Sequence, residues 1–440
     1  MLLNLVYLLA LAVLSPWLAW RAFATGRYRA ELGAKFFGRI SFRNPAKKPV
    51  AWFHAVSVGE VNLLGTLVPA FQKRHPDWLV VISSTTDTGL AGARQRFPEL
   101  DVIAWPFDFS WAVSTALDAV KPSLIVLTES ELWPNFLASA NRRNVPVVVV
   151  NARMSPRSFR RLSRVAGAAR RLLFRYVTRF AVQEVEYADR LLQLGVPAAR
   201  LVTTGSIKYD GAIQAHTAGT DRLRNVLGLA ATPAGSRPLV LLAGSTHAPE
   251  ESIVLGAFAR LRERFPHLRL ILVPRHPDRF EEVSRLVEAS GLPFVRRSRI
   301  SSPLETMPAV VLLDTVGELG AAWGLADVGF TGGSLDGVRG GQSMIEPAGY
   351  GVPCVFGPHV WNFKDAAKRL VEVGGAVMVK DAGELEAALA RLLADADLRA
   401  RTGAAARELV RRQQGATLRT LDVLDDVIPS TALSVAAYIG

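Results

Sequence analysis

The sequence predicts an α/β protein built from two doubly wound domains, each a parallel sheet covered on both faces by helices, behind an apolar N-terminal segment. Three observations predict it. Short, near-continuous apolar runs alternate with helix-length stretches; the rhythm lapses near Asp210 and restarts at Pro238; and 440 residues suffice for two separate cores. The halves share this rhythm but no repeated sequence, so they read as two similar domains facing each other across a cleft. Half the residues are hydrophobic and 21% are charged, which excludes a disordered chain. The single cysteine, Cys354, cannot close an intramolecular disulfide or form a thiolate metal site, and it reads as a small apolar residue within VPCVF.

Residues 1–22 begin with MLLNLVYLLALAVLSPWLAW, an uncharged run of the length, about 20 residues, that a bilayer-spanning helix needs. This is the expected membrane anchor. Arg21 and the basic linker 23–48, with Arg27, Arg29, Lys35 and Arg39, would pair with anionic head groups and keep the body on the cytoplasmic side. Pro16, Trp17 and Trp20 also suit a helix lying in one leaflet, so spanning and lying both stay open. A cleaved signal peptide does not fit, since no basic n-region precedes the apolar run and no small-x-small site follows it.

In the first domain, 49–210, the expected strands are VAWFHAV (50–56), WLVVISST (78–85), DVIAWPF (101–107), SLIVLTES (123–130), VPVVVVNAR (145–153) and RFAVQ (179–183). A linker, 211–237, holds no strong strand. The second domain, 238–425, carries PLVLLAGS (238–245), LRLILVPR (268–275), AVVLLDT (309–315), ADVGFTGG (326–333) and VPCVFG (352–357), and a tail, 426–440, follows.

Lysine and arginine total 52 against 39 acids, a net +13 that calls for an anionic partner. No Asp or Glu occurs from Leu132 to Gln183. Within that stretch, residues 158–177 read as one amphipathic helix, with Phe159, Leu162, Val165, Ala169, Leu172 and Tyr176 on one face and Arg160, Arg164, Arg171 and Arg175 on another. It is either a solvated cationic face or a docking surface for anionic lipid. Nucleic acid is disfavoured, because no RNP-like or helix-turn-helix pattern and little aromatic interleaving occur.

Open α/β sheets bind ligands beyond the carboxyl ends of their strands, so the residues directly after the apolar runs are the candidates. Glu60 follows the first run and a turn made by Ser57 and Gly59, in the first turn of a helix. There the dipole keeps a carboxylate ionised, so Glu60 is either a general base or a dipole-complementing residue. Glu129 and Glu131, two apart on a strand, would share one side, or one of them would cap the helix beginning near Trp133. Lys208, in GSIKYD, lies at the expected domain crossing. In the second half, Ser245, Thr246 and His247 lie between a strand and a helix, with Ser245 or Thr246 able to cap. Pro274, Arg275 and Arg279 sit at a strand end where arginine can grip phosphate. Val316, Gly317 and Glu318 form a turn before a helix. Gly332, Gly333 and Gly341 would let backbone N–H groups approach a phosphate, and Glu346, one turn into a helix, would accept from a ribose diol. Together these describe a nucleotide site. The histidines show no metal-ligand spacing, and the one D-x-D, Asp395 to Asp397, lies in a helical stretch, so no metal and no cofactor are expected.

In chain order, HAVSVGE, TESELWPN, NARMSPRS (151–158), GSIKYD, GSTHAPEE, VPRHPDRF, DTVGEL and GGS…RGGQSMIEPA, behind an apolar N-terminus, resemble the 3-deoxy-D-manno-octulosonic acid (Kdo) transferases of lipopolysaccharide assembly. The resemblance covers nearly the whole chain. It implies the two-domain GT-B glycosyltransferase fold, a place on the cytoplasmic face of the inner membrane, and metal-independent, inverting transfer of Kdo from CMP-Kdo to a phosphorylated, tetraacylated lipid A precursor. It further implies Glu60 as proton acceptor, Glu129 and Lys208 as transition-state stabilisers, and CMP held by Pro274, Arg275, Val316 to Glu318, and Ser343, Met344, Ile345 and Glu346. The sequence departs from the family pattern at Gln342 and Ser343, where His and Asn are usual, at Val316, where Met is usual, and in a loop between Leu335 and Arg339 one residue longer than the common form. The competing expectations are a GT-B transferase using a UDP-sugar and a lipid-linked acceptor, and a membrane-tethered anionic-lipid-binding protein without catalysis.

Overall fold

The structure, a computed structural model, describes residues 2–25, 31–212, 217–229 and 237–428. The chain forms two compact units, Met1–Asp210 together with Gln414–Gly440, and Gly211–Gln413. In the first, strands β1 (Val50–His54), β2 (Leu79–Ser84), β3 (Asp101–Ala104), β4 (Leu124–Thr128), β5 (Val147–Ala152), β6 (Arg179–Val182) and β7 (Leu201–Thr203) pair in parallel in the order β3-β2-β1-β4-β5-β6-β7. Helices cover both faces, so the neighbours Trp52 and Phe53, which point to opposite sides of β1, enter different cores. Trp52 packs with Val149, Phe136 and Phe180, and Phe53 with Leu64, Leu67 and Phe71.

The second unit repeats the plan. Strands β8 (Val240–Thr246), β9 (Arg269–Pro274), β10 (Phe294–Arg296), β11 (Val310–Leu312), β12 (Val328–Thr331), β13 (Cys354–Phe356) and β14 (Ala376–Met378) run parallel in the order β10-β11-β9-β8-β12-β13-β14. Cys354 is buried in this sheet, and burial pushes its thiol up to about 12. Each sheet reverses its winding once, between β1 and β4 in the first and between β8 and β12 in the second. His54 there lies opposite Leu127, and Gly244 opposite Thr331. The crevice at such a switch point is where this architecture binds ligands.

Several expectations are corrected. The helix Ala416–Asp425, assigned from sequence to the second domain, packs in the first unit's core through Ala416, Leu421 and Leu424. Asp210 fixes its start by accepting from the N–H groups of Gly415 (2.7 Å) and Thr417 (2.5 Å). The single basic helix over 158–177 is three pieces, Pro156–Ser163, Ala166–Leu172 and the 3-10 turn Phe174–Tyr176, because Val165 (φ −130°) and Leu173 (φ −122°) leave helical geometry. Val165 and Leu172, expected on the apolar face, are exposed, while Ala169 and Phe174 are buried. Lys35, expected to face head groups, is buried and pairs with Asp87 at 2.8 Å.

A helix runs from Leu2 to Thr25 through Pro16. Its first turns are held to the body: Asn4 exchanges hydrogen bonds with Ser110 and accepts from Asn135, and the Tyr7 hydroxyl donates to Asp108 at 2.9 Å. Leu5, Val6, Leu8, Leu9, Val13, Leu14 and Trp20 are exposed along it. Among the described residues no helix is long and apolar enough to cross a membrane. Arg27 and Arg29, the side chains of Trp17 and Arg21, and parts of the linker and tail lie outside the described residues.

Candidate active site

Glu60 is the third residue of the helix Val58–Arg74, immediately past the carboxyl end of β1. Its Oε2 accepts from the Val56 N–H (2.9 Å) and from the Thr128 hydroxyl at the end of β4 (2.6 Å). Among the described residues Oε1 has only a long contact with the Ser57 hydroxyl, at 3.4 Å, and is the oxygen available to a substrate. Burial raises the Glu60 carboxyl above its ordinary value. The Thr128 and Val56 hydrogen bonds oppose the rise, while the charges of Glu129 and Glu131 add to it. Contrary to the expectation from the helix dipole alone, desolvation outweighs the helix terminus, which makes Glu60 a stronger base than a solvated glutamate.

Glu129 and Glu131 lie past the end of β4, Glu129 in a turn and Glu131 just after it, so strand alternation does not place them on a common side. Glu129 instead takes a left-handed conformation (φ 57°), its N–H donating to the Val150 carbonyl at 2.9 Å and its carboxylate facing Lys208 Nζ at 3.6 Å. Glu131 accepts from the Trp133 indole at 3.1 Å, and burial raises its pKa, the Trp133 bond opposing and the Glu129 charge adding to the rise. Neither acid caps the following helix, Pro134–Arg142. Its first amides donate to Asp108, from Asn135 at 3.0 Å and Phe136 at 2.8 Å.

Sequence reasoning missed Thr128 and Asn151. Asn151 ends a bulged stretch of β5 in left-handed geometry (φ 52°), a conformation Asn tolerates better than most residues, and its buried side chain accepts from the Ile207 N–H at 3.2 Å. That bond seats the 3-10 turn Ile207–Tyr209, which carries Lys208. Thus Glu60, Glu129, Glu131 and Lys208 are gathered at the switch point of the first sheet.

In the second unit, the Arg275 N–H donates to the Thr246 carbonyl (3.0 Å), tying the end of β9 to the end of β8, and its exposed side chain makes no ion pair among the described residues. Its charge acts on Glu346, at the start of the helix Ile345–Tyr350: burial raises the Glu346 carboxyl, while Arg275 and Trp323 hold the rise back. These two expected donor-site residues are therefore neighbours. Pro274, Met344 and Ile345 are buried and Ser343 is half-buried. His247 is buried, its two ring nitrogens have no partner, and burial followed by the Arg339 charge lowers it to about 4, so it is neutral. A Cβ on Gly333 would lie 3.4 Å from its ring.

Other expectations change here. The Gly332, Gly333 and Gly341 amides already donate within the protein, to the Gly244 carbonyl, to Glu250 and to the Gly333 carbonyl, so they do not form an open phosphate cradle. The cause is Glu250, fully buried and unassigned from sequence, whose carboxylate accepts from the N–H groups of Gly333 (2.6 Å), Ser334 (2.9 Å), Leu335 (3.0 Å) and His247 (3.1 Å). Gly332 is required for packing, since a Cβ would fall 2.6 Å from the Ser245 carbonyl oxygen. Ser245 (φ 54°) and Thr246 do not cap the helix Glu250–Arg264. Arg279 is committed to buried Glu251 (2.5 Å) and to Glu282 (2.8 Å) rather than open to a phosphate. Val316 is 80% exposed and Gly317 takes φ 91°, but Glu318 pairs with Arg297 at 3.0 Å and accepts from Thr315.

The family model described as 3-Deoxy-D-manno-octulosonic-acid transferase (kdotransferase) matches residues 32–211. The chain is 34% identical over 402 residues to the 3-deoxy-D-manno-octulosonic acid transferase of Haemophilus influenzae, covering 90% of this chain and 91% of that protein. It is 36% identical over 436 residues to the enzyme of the same name from Bordetella pertussis, covering 96% and 98%. Among solved structures, the glycotransferase of kitacinnamycin shares the fold, with a TM-score of 0.52 at 17% identity over 87% of this chain and 100% of that one. Two parallel seven-stranded sheets, acids gathered at one switch point, and these relatives together make the chain a glycosyltransferase of GT-B fold that belongs to the 3-deoxy-D-manno-octulosonic acid transferase family.

Proposed function

We propose that the protein transfers Kdo from CMP-Kdo to a primary hydroxyl of a phosphorylated, tetraacylated lipid A precursor, with inversion and with Glu60 as the general base. The observation that carries this reading is the Glu60 carboxylate itself. One oxygen is held by Val56 and Thr128, the other is open, and its basicity is raised by burial. The acceptor hydroxyl gives its proton to Glu60 Oε1 as its oxygen attacks the anomeric carbon; that C–O bond forms while the bond to the CMP phosphate breaks and the electron pair leaves with CMP. Lys208 holds Glu129 at the same switch point, and the pair stabilises charge developing on the sugar. Arg275, which makes no ion pair among the described residues, balances the leaving phosphate in place of a divalent ion. Neutral His247, with both ring nitrogens unpartnered, is available to the donor sugar.

The helix Leu2–Thr25 anchors the chain to the cytoplasmic face of the inner membrane. Its exposed leucines and valines suit lipid, and the Asn4 and Tyr7 contacts keep its first turns against the body, which supports a helix lying along one leaflet. Incubating the purified protein with CMP-Kdo and the lipid acceptor, and in parallel with UDP-sugars, tests the reading by product mass. A product from CMP-Kdo alone agrees with it, and turnover of UDP-sugars alone refutes it.

A further inference from the structure

The acid-free stretch borders a cavity whose lining includes none of Glu60, Glu129 and Lys208. It measures about 450 Å³ and lies among the helix Ala166–Leu172, the turn Phe174–Tyr176 and residues 195–200. Arg170, Arg171, Arg175 and Arg200 line it together with buried Phe174. Among the described residues, no carboxylate lies within ion-pair distance of any of these four arginines.

Arg200, Arg170 and Arg175 are oriented rather than merely present. Arg200 Nη1 donates to the carbonyls of Arg175 (3.0 Å) and Val177 (3.3 Å), which fixes its guanidinium and, among the described residues, leaves its remaining donors unused. The Arg170 stem lies over Gly195, where a Cβ would come 3.0 Å from its Cδ. Gly195 has φ 87°, so the residue the backbone favours is also the one that makes room for the arginine. The Arg175 guanidinium stacks 5.0 Å from the Tyr176 ring centre, which leaves its edge N–H groups free.

Four guanidinium groups around one concavity repel each other, and no acid from Leu132 to Gln183 relieves them. A dianion would. Planar forks of N–H donors match the oxygens of a phosphate, and the cavity has room for the group that carries it. We propose that this cavity is a binding site for a phosphomonoester, held by Arg170, Arg171, Arg175 and Arg200. The source of the phosphomonoester is either a phosphorylated lipid head group or free phosphate. The site is separate from Glu60, and its occupancy does not depend on the transfer reaction.

The test uses the full chain in detergent titrated with inorganic phosphate by calorimetry, and sedimentation with phosphatidylcholine vesicles with and without phosphatidic acid. Two charge-matched variants are compared: Arg170→Ala/Arg175→Ala in the cavity, and Arg160→Ala/Arg161→Ala on the neighbouring exposed helix. The cavity variant is expected to lose about tenfold or more in affinity for phosphate or for the phosphatidic acid vesicles, and the control far less. Loss confined to vesicles assigns the lipid source, and loss of phosphate binding without any vesicle effect assigns the free anion. Arg170→Lys/Arg175→Lys, which keeps charge but not the fork, should fall between wild type and the alanine variant. Equal losses in the cavity and control variants, unchanged binding in the cavity variant, or no binding by wild type would overturn the proposal.

Discussion

The Thr128 hydroxyl lies 2.6 Å from Glu60 Oε2 and 2.9 Å from the carbonyl oxygen of His54. A hydroxyl has one proton to give, so it donates to Glu60 while that residue is ionised. Once Oε1 has taken a proton, Oε2 is a weaker acceptor, and the Thr128 hydroxyl can turn its proton to the His54 carbonyl instead. Both protonation states of the base are satisfied without rearranging the strands.

Thr128→Val removes a bond that holds the Glu60 pKa down, so the acid limb of the pH–rate profile should move to higher pH, while the rate well above that limb changes little. Thr128→Ser should restore the wild-type limb. A limb that stays in place in the valine variant would separate Thr128 from the base.

The two arginines of VPRHPDRF should behave differently. Arg275→Ala removes a cation that makes no ion pair among the described residues, and should raise the KM for the nucleotide donor about tenfold or more with little change in melting temperature. Arg279→Ala strands the buried carboxylate of Glu251 and should cost about 3 kcal/mol of stability in urea unfolding. The reverse pattern would contradict a donor-binding Arg275 and a structural Arg279.

Asn151→Ala deprives the Ile207 amide of its acceptor and places alanine at a left-handed backbone position, for an expected loss of about 2–4 kcal/mol. Asn151→Gly relieves the backbone component and should lose less. Equal losses would mean that the backbone conformation at 151 contributes nothing.

Burial raises Glu346, so over the window from its ordinary value up to its folded value the native state keeps a proton that the unfolded chain has released. This contribution to stability is complete below the window and is lost as pH rises through it. Glu346→Gln should remove that part of the decline, seen as a shallower fall in urea midpoint as pH rises above the ordinary carboxylate range. An unchanged slope would refute the raised pKa.

The long central strands were legible because runs such as VVVV in β5 have no other stable place than a sheet covered on both faces. The missed strands β7, β10 and β14 are three residues long, incompletely buried and at sheet edges, where neither run length nor alternation separates strand from loop. Glu60 and Glu129 were singled out because strand ends are readable from apolar runs, and Lys208 by its place in GSIKYD at the expected domain crossing. Glu250 was not, because its partners Gly333 to Leu335 lie more than 80 residues later and only the sheet brings them together. The same kind of long-range contact explains Asp108, which caps a helix that neither Glu129 nor Glu131 caps.

The most direct measurement is the rate of Kdo transfer from CMP-Kdo to the lipid acceptor by wild type and by Glu60→Gln, with CMP binding followed alongside. A general base contributes about 10²–10⁴-fold, so the variant should lose at least about a hundredfold in rate while binding CMP as wild type does. Transfer by Glu60→Gln at the wild-type rate would contradict the assignment of the base.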